Sequence, residues 1–254
     1  MTGDWLRPLL LCLLLLSGRA TAASVAAAAD LKFALSEIAA NFERERGGRI
    51  VLAFGSSGHF ARQIPQGAPY ELFLSADEEY IFALARQGLL RDEGRLYAIG
   101  RLALLLPRGS PVAVDGELRG LASALAAGKL QRLAIANPEH APYGRAARAA
   151  LERAGLWQPL QGRLVFGENV AQAAQFALSG SAQGGLVAWS LARSPELATR
   201  SVAALIPADW HPPLRQRMAL TQRAGAEAQR FYEYLQQPSA RTVFARHGFA
   251  LPTD

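Results

Sequence analysis

The sequence predicts an α/β protein of two lobes, each built on a mostly parallel sheet with helices on both faces. Three observations lead there. Short apolar runs alternate with amphipathic stretches along most of the chain, the pattern of repeated βα units with buried strands. Two longer apolar segments, "IGRLALLLPRGSP" (99–111) and "LRQRMALTQ" (214–222), break that rhythm and bracket a compact α/β block. After the second comes a helical stretch, "AEAQRFYEYLQQPSARTVFARHGF", instead of another βα unit. The chain is therefore expected to cross between lobes twice. Lobe one takes residues 23–104 and 213–254, and lobe two takes 105–212.

The elements follow in order. "SVAAAA" (24–29) reads as a strand leading to a helix in which Leu31, Leu35, Ile38 and Phe42 recur at helical spacing, with Asp30 placed to cap it. "IVLAF" (50–54) leads to "GHFARQI". "ELFLSA" (71–76) leads to a helix that Asp77 caps and Gly88 stops. "RLAIAN" (132–137) leads to "YGRAARAALERAG", with Pro142 in the first turn and Gly155 past the end. "RLVFG" (163–167) leads to "ENVAQAAQFALSG", and "GGLVAW" (184–189) to "SLARSPEL".

The first 22 residues read as a secretory leader. Arg7 precedes the run "PLLLCLLLL", and Ala20 and Ala22 form an A-x-A cleavage site. The apolar run is shorter than the roughly 20 residues a bilayer span requires. The single cysteine, Cys12, lies in that leader, so the exported chain is expected to fold without a disulfide. Of 254 residues, 232 remain, enough to bury an ordinary core. The formal charge of +6 comes mostly from arginines scattered along helices, with no basic run interleaved with aromatics, so nucleic acid is not an expected partner.

The chemistry gathers at strand-to-helix junctions. "AAAADLK", "FGSSGHF", "HAPYGRA" and "GENVAQA" each place unpaired backbone N–H groups at a helix start, where the dipole also favours negative charge. Ser57 and Tyr143 add hydroxyl donors. In an open α/β sheet ligands bind outside the carboxyl ends of the strands, so these junctions read as parts of an oxyanion cradle. Catalytic patterns are missing from the sequence: no G-x-S-x-G elbow, no phosphate loop, and no cysteine after the leader. His59, His140, His211 and His247 stand isolated, without metal-ligand spacing.

These stretches, together with "ARQIPQGAPYELFLSAD" and "VFARHGF", resemble the periplasmic molybdate-binding proteins of ABC-type molybdate importers along essentially the whole exported chain. The resemblance implies a class II periplasmic-binding-protein fold. In it two lobes close on one tetrahedral molybdate or tungstate held by hydrogen bonds alone, with molybdenum present only as the oxyanion and no cofactor. It places first-lobe contacts at Ala29, Asp30 and Ser57, and second-lobe contacts at Tyr143 and at the backbone N–H of Val170. It further implies a periplasmic monomer, not an enzyme, that delivers its anion to an inner-membrane ABC permease. Sulfate or phosphate binding, or a sensor domain of the same fold, are the alternatives.

Two positions depart from the usual family pattern. Ala29 and Asp30 stand where many members carry a hydroxyl, so Asp30 is expected to offer only its N–H while its carboxylate caps its own helix. Ala188 stands where many members carry a tyrosine, so Tyr143 is expected to supply that donor. None of these contacts titrates between about pH 6 and 8 at ordinary pKa values, so binding is expected to be flat there.

Overall fold

A computed structural model of the chain describes residues 22–252. Apart from Ala22, the expected leader and its Cys12 lie outside the described residues. No helix among the described residues is long and apolar enough to cross a membrane.

One sheet is formed by β1 (Ala23–Ala28), β2 (Ile50–Gly55), β3 (Leu72–Ser75), β4 (Arg95–Gly100) and β10 (Leu214–Leu220), in the order β2-β1-β3-β10-β4. The other is formed by β5 (Leu102–Pro107), β6 (Leu133–Ala136), β7 (Leu164–Gly167), β8 (Gly185–Ala188) and β9 (Ser201–Leu205), in the order β7-β6-β8-β5-β9. In each sheet three strands pair in parallel. The strand that enters from the other lobe, β10 or β5, runs antiparallel to both of its neighbours. Each sheet thus has one reversed strand among strands of a common direction, and the two reversed strands are the segments that break the sequence rhythm.

The segment 99–111 is two strands rather than one. Gly100 ends β4 paired with Leu214, and Leu102 begins β5 paired with Ala188. Arg101 carries the chain from one sheet to the other. The return crossing runs from Ile206, whose N–H donates to Leu102 O at 3.0 Å, to Leu214.

Helices cover both faces of the first sheet. The side chains of β1 are small, which lets helices approach the centre of the sheet closely. Val25 and Ala27 join a core with α1 (Lys32–Arg46) and α9 (Ala226–Tyr234). Ala26 faces a second cluster with Phe60 of α2 (Ser57–Gln63) and Ile81 of α3 (Glu78–Arg86). The C-terminal helical stretch breaks at Pro238 into α9 and α10 (Pro238–Arg246). Both pieces return to the first sheet, with Phe231 edge-on to Phe42 and Phe244 against Tyr97. The second sheet carries α4 (Arg119–Ala126), α5 (Pro142–Arg153), α6 (Val170–Leu178), α7 (Trp189–Ala192) and α8 (Pro195–Ala198) in its connections. The stretch "SLARSPEL", expected as one helix, is α7 and α8, because Pro195 starts a new turn capped by Ser194.

Local signals behave as their chemistry requires. Asp77 Oδ1 accepts the Glu79 N–H at 3.0 Å and caps α3, and Gly88 follows the helix at φ 70°. Pro142 opens α5, and Gly155 follows it in the left-handed region. Asp30 is the exception. A 3-10 turn, Ala29–Leu31, precedes α1, so Leu31 holds the cap position and the Asp30 side chain caps neither segment.

Candidate functional site

The two sheets present the carboxyl ends of β1, β2, β6 and β7 to one another, and the segments that follow close around a small cavity. Ala29, Asp30, Ser57, Tyr143 and Val170 all line it, alongside Ser56, Ala76, Pro142 and Asn169. Four helix starts, from positions far apart in the chain, therefore face one small volume. Their N–H groups and dipoles make it a site for negative charge.

Ser57 is 1% exposed. Its Oγ accepts the backbone N–H of Ala76 at 2.9 Å. That bond uses a lone pair and leaves the hydroxyl hydrogen available to a cavity ligand. The helix cap position belongs to Ser56, whose hydroxyl instead crosses the cleft to His140 O at 2.6 Å. At α6, Asn169 Oδ1 takes the N–H groups of Ala171 and Gln172 at 3.0 and 3.1 Å. The N–H of Val170, one position earlier, is not part of that cap. Ala188 is fully buried, pairs with Leu102 and does not line the cavity.

Asp30 changes the electrostatics of the site. It is 1% exposed, and its Oδ2 accepts from the Tyr143 hydroxyl at 3.0 Å and from Gln216 Nε2. Tyr97 donates to Gln216 Oε1 at 2.9 Å, so a buried chain of hydrogen bonds runs Tyr97–Gln216–Asp30–Tyr143. Burial pushes the Asp30 carboxyl up to about 6, against the opposing pull of Gln216, Tyr143 and the nearby N–H groups of Asp30 and Leu31. No donor among the described residues reaches Oδ1 with hydrogen-bond geometry. Burial, and then the charge of Asp30, hold the Tyr143 phenol well above its usual pKa, so it stays a donor. A cavity-lining carboxyl raised to about 6 is a titratable group that the expectation of a flat response between pH 6 and 8 did not include.

Gln216 escaped the sequence reading, although a signal exists. On β10, Leu214, Gln216 and Met218 alternate inward, and a glutamine on an inward face requires partners. Gly100 is fixed by the same cluster, since a Cβ there would lie 2.4 Å from Tyr143 Oη and 2.8 Å from Gln216 Nε2.

The lobes are shut over the cavity. Besides the Tyr143–Asp30 bond, Ser190 Oγ donates to Asp30 O at 2.8 Å, and the Gly58 N–H donates to His140 O at 3.0 Å. Arg145 of α5 pairs with Asp77 and donates to Tyr80 Oη at 3.0 Å. At the rim, His59 and His140 are not isolated. Their rings stack with centroids 4.0 Å apart, and Glu168 lies beside both.

Comparison with known proteins agrees with this geometry. Residues 23–250 match the model of the bacterial extracellular solute-binding proteins. The chain is 34% identical to the molybdate-binding protein ModA of Azotobacter vinelandii, over 94% of each protein. It is 31% identical to ModA of Escherichia coli K12, over 90% of this chain and 88% of that one. The solved structure of the Azotobacter vinelandii periplasmic molybdate-binding protein superposes with a TM-score of 0.81 at 30% identity, covering 91% of this chain and all of that one. By the extent of these matches the chain belongs to the bacterial extracellular solute-binding protein family, alongside the ModA molybdate-binding proteins.

Proposed function

We propose that the chain is the periplasmic solute-binding component of an ABC importer, and that its cavity takes molybdate, and tungstate alike, for delivery to a membrane permease. The observation that carries the reading is the Ser57 hydroxyl. Its lone pair is engaged by Ala76, so its hydrogen is free for a cavity lined by the helix starts at Ala29, Tyr143 and Val170. Such a set is rich in donors, which suits a dianion that has no proton of its own to give. Closed lobes exclude water and strengthen each of these bonds. Kinship with ModA at 34% identity supports the choice of molybdate among oxyanions.

Asp30 joins the binding by taking up a proton. An ionised carboxylate beside a dianion is repelled by roughly 4 kcal/mol per unit of anion charge at ~4 Å and an effective dielectric of ~20. Protonating a carboxyl with a pKa of about 6 at pH 7.5 costs only about 2 kcal/mol. Protonation therefore wins, and the acid form offers an O–H donor from a side chain whose Oδ1 is otherwise unpartnered.

The same carboxylate supports a second reading. A hydrogen-bearing oxyanion such as hydrogenphosphate could donate its own proton to ionised Asp30. Isothermal titration with molybdate, tungstate, sulfate and phosphate at several pH values separates the two. Tight and equal binding of molybdate and tungstate, with sulfate far weaker, is the expected result. Sulfate binding as tight as molybdate would sink the molybdate reading. Phosphate binding that outranks molybdate and strengthens above pH 6 would install the second. Elemental analysis of molybdenum and tungsten in protein purified from cells checks which anion it carries.

A further inference from the structure

We propose that His59, His140 and Glu168 form a binding site for one divalent transition-metal ion of the zinc type, placed across the cleft so that the ion ties the two lobes together. His59 belongs to α2 beside the first sheet, whereas His140 follows β6 and Glu168 follows β7 of the second. No two of the three are near in sequence, which is why spacing gives no hint of them.

The ligand atoms are already gathered. One nitrogen from each ring and one Glu168 oxygen all lie within 4.8 Å of one another. Glu168 Oε2 is 3.7 Å from His59 Nε2 and 3.8 Å from His140 Nε2. Ligands bound tetrahedrally at about 2.0–2.1 Å stand roughly 3.3 Å apart, so these two pairs need to close by about half an ångström, and partly exposed His59 must also turn out of its stack on His140 to aim its lone pair at the same ion.

The tautomer of His140 is fixed for the purpose. Ser56 Oγ lies 2.6 Å from His140 O and 3.1 Å from His140 Nδ1. A carbonyl cannot donate, so the serine hydrogen goes to the carbonyl. Nδ1 must then carry a hydrogen and donate it to Oγ. That leaves Nε2 with a lone pair turned toward Glu168. An imidazole whose far nitrogen is held by a second hydrogen bond is the usual arrangement of a metal-ligating histidine.

Access and consequence also follow from position. The His59 and Glu168 side chains are 34% and 65% exposed, so an ion can enter from solvent while buried His140 anchors it. Two imidazoles and a carboxylate suit zinc, nickel or copper over magnesium, and three protein ligands leave a tetrahedral position to water. His140 and Glu168 each adjoin a cavity-lining residue, Ala141 and Asn169. Because the ligands come from both lobes, metal binding favours the closed form, and linkage requires closure to favour the metal.

The site does not depend on which oxyanion the cavity holds, so its test omits oxyanions. The purified chain, without a histidine tag and stripped with chelator, is titrated calorimetrically with zinc chloride near pH 7.5. One zinc ion per chain is expected, with magnesium chloride giving no binding. His59→Ala and Glu168→Gln should each weaken zinc binding at least tenfold while leaving the metal-free melting temperature unchanged. A parent chain without saturable zinc binding, or zinc binding of parental strength in both variants, overturns the proposal.

Discussion

The hydroxyl of Tyr143 donates to Oδ2 of Asp30 at 3.0 Å, and this bond joins the start of α5 in one lobe to the end of β1 in the other. It also defines a problem for anion capture. A phenol has one hydrogen, and while that hydrogen lies on Asp30 it is not on a ligand. Protonation of Asp30 would free that hydrogen by making the carboxyl itself a donor, and its pKa of about 6 puts the exchange within reach at neutral pH. On the proposed reading, ligand binding and proton uptake are coupled through this one pair.

The first prediction is a pH profile. The free chain should bind molybdate with a plateau below about pH 6 and lose roughly tenfold in affinity per pH unit above it, because each unit adds about 1.4 kcal/mol to the cost of protonating Asp30. Calorimetry in buffers of different ionisation enthalpy should register close to one proton taken up per anion at pH 8. Asp30→Asn should bind with no such slope. A parent profile that stays flat from pH 6 to 8 would return the carboxylate to a purely structural role.

The same substitution reads out in stability. A carboxyl raised from the usual 3.8 to about 6 binds its proton more tightly in the folded chain than in the unfolded one. Its contribution is therefore greatest at low pH and is lost as pH rises from about 4 to about 6. Relative to Asp30→Asn, the free parent should become progressively less stable over that window. The gap should level off above it at up to about 3 kcal/mol. Urea midpoints for both chains at a series of pH values provide the measurement.

Tyr143→Phe separates two roles of one hydroxyl. Removing it takes a donor from the Asp30 carboxylate, so the midpoint of the pH profile should move upward. If the hydroxyl also reaches the anion once Asp30 is protonated, the low-pH plateau should fall by about 1.5–3 kcal/mol, the range for a hydrogen bond to a charged group. A shifted midpoint with an unchanged plateau would show that Tyr143 serves Asp30 alone.

Much of this arrangement was legible in the sequence, and the missing parts share a cause. Ser57 and Tyr143 could be picked out because each sits at a strand-to-helix junction, and local chemistry marks such junctions, whereas Val170 was named by the family resemblance. The reversed strands β5 and β10 were visible as interruptions of a period. The direction of the Asp30 side chain was not visible, since a helix cap and an interlobe acceptor look alike until the 3-10 turn at Ala29–Leu31 is known. Gln216 and Tyr97 arrive from β10 and β4, and the pairing that brings them together is a property of the closed sheet. The contact of His59, His140 and Glu168 depends on lobe closure, so no window of sequence contains it.

Ser57→Ala should weaken molybdate binding by about 1.5–3 kcal/mol through loss of a donor to charge. It should also destabilise the free chain, by about 1–3 kcal/mol, because the buried N–H of Ala76 loses the oxygen it donates to at 2.9 Å. The two effects appear separately in calorimetry and in urea unfolding. A folded variant with parental affinity would leave Ser57 only its bond to Ala76.

Gly58→Ala tests whether the closed arrangement is what retains the anion. Gly58 lies in the first turn of α2, and its N–H donates to His140 O across the cleft at 3.0 Å. A Cβ at this position would stand 2.4 Å from that carbonyl oxygen and 2.8 Å from Tyr80 Oη. One neighbour is backbone, and the other is held by Arg145, so neither yields easily. The closer clash, with His140 O, arises between lobes, and the Tyr80 hydroxyl of Gly58's own lobe is held by Arg145 of the other, so opening the cleft relieves the first and frees the second to move without unfolding either sheet. The substitution should therefore leave each lobe folded and push the equilibrium toward an open form. Overpacking of this kind costs about 1–3 kcal/mol, so molybdate affinity should fall by roughly 5- to 150-fold. Small-angle scattering should record a larger radius of gyration for the variant than for the parent when both are measured at one anion concentration that fills only the parent. A variant that keeps parental affinity and parental dimensions would mean that the cleft closes without the contact between Gly58 and His140.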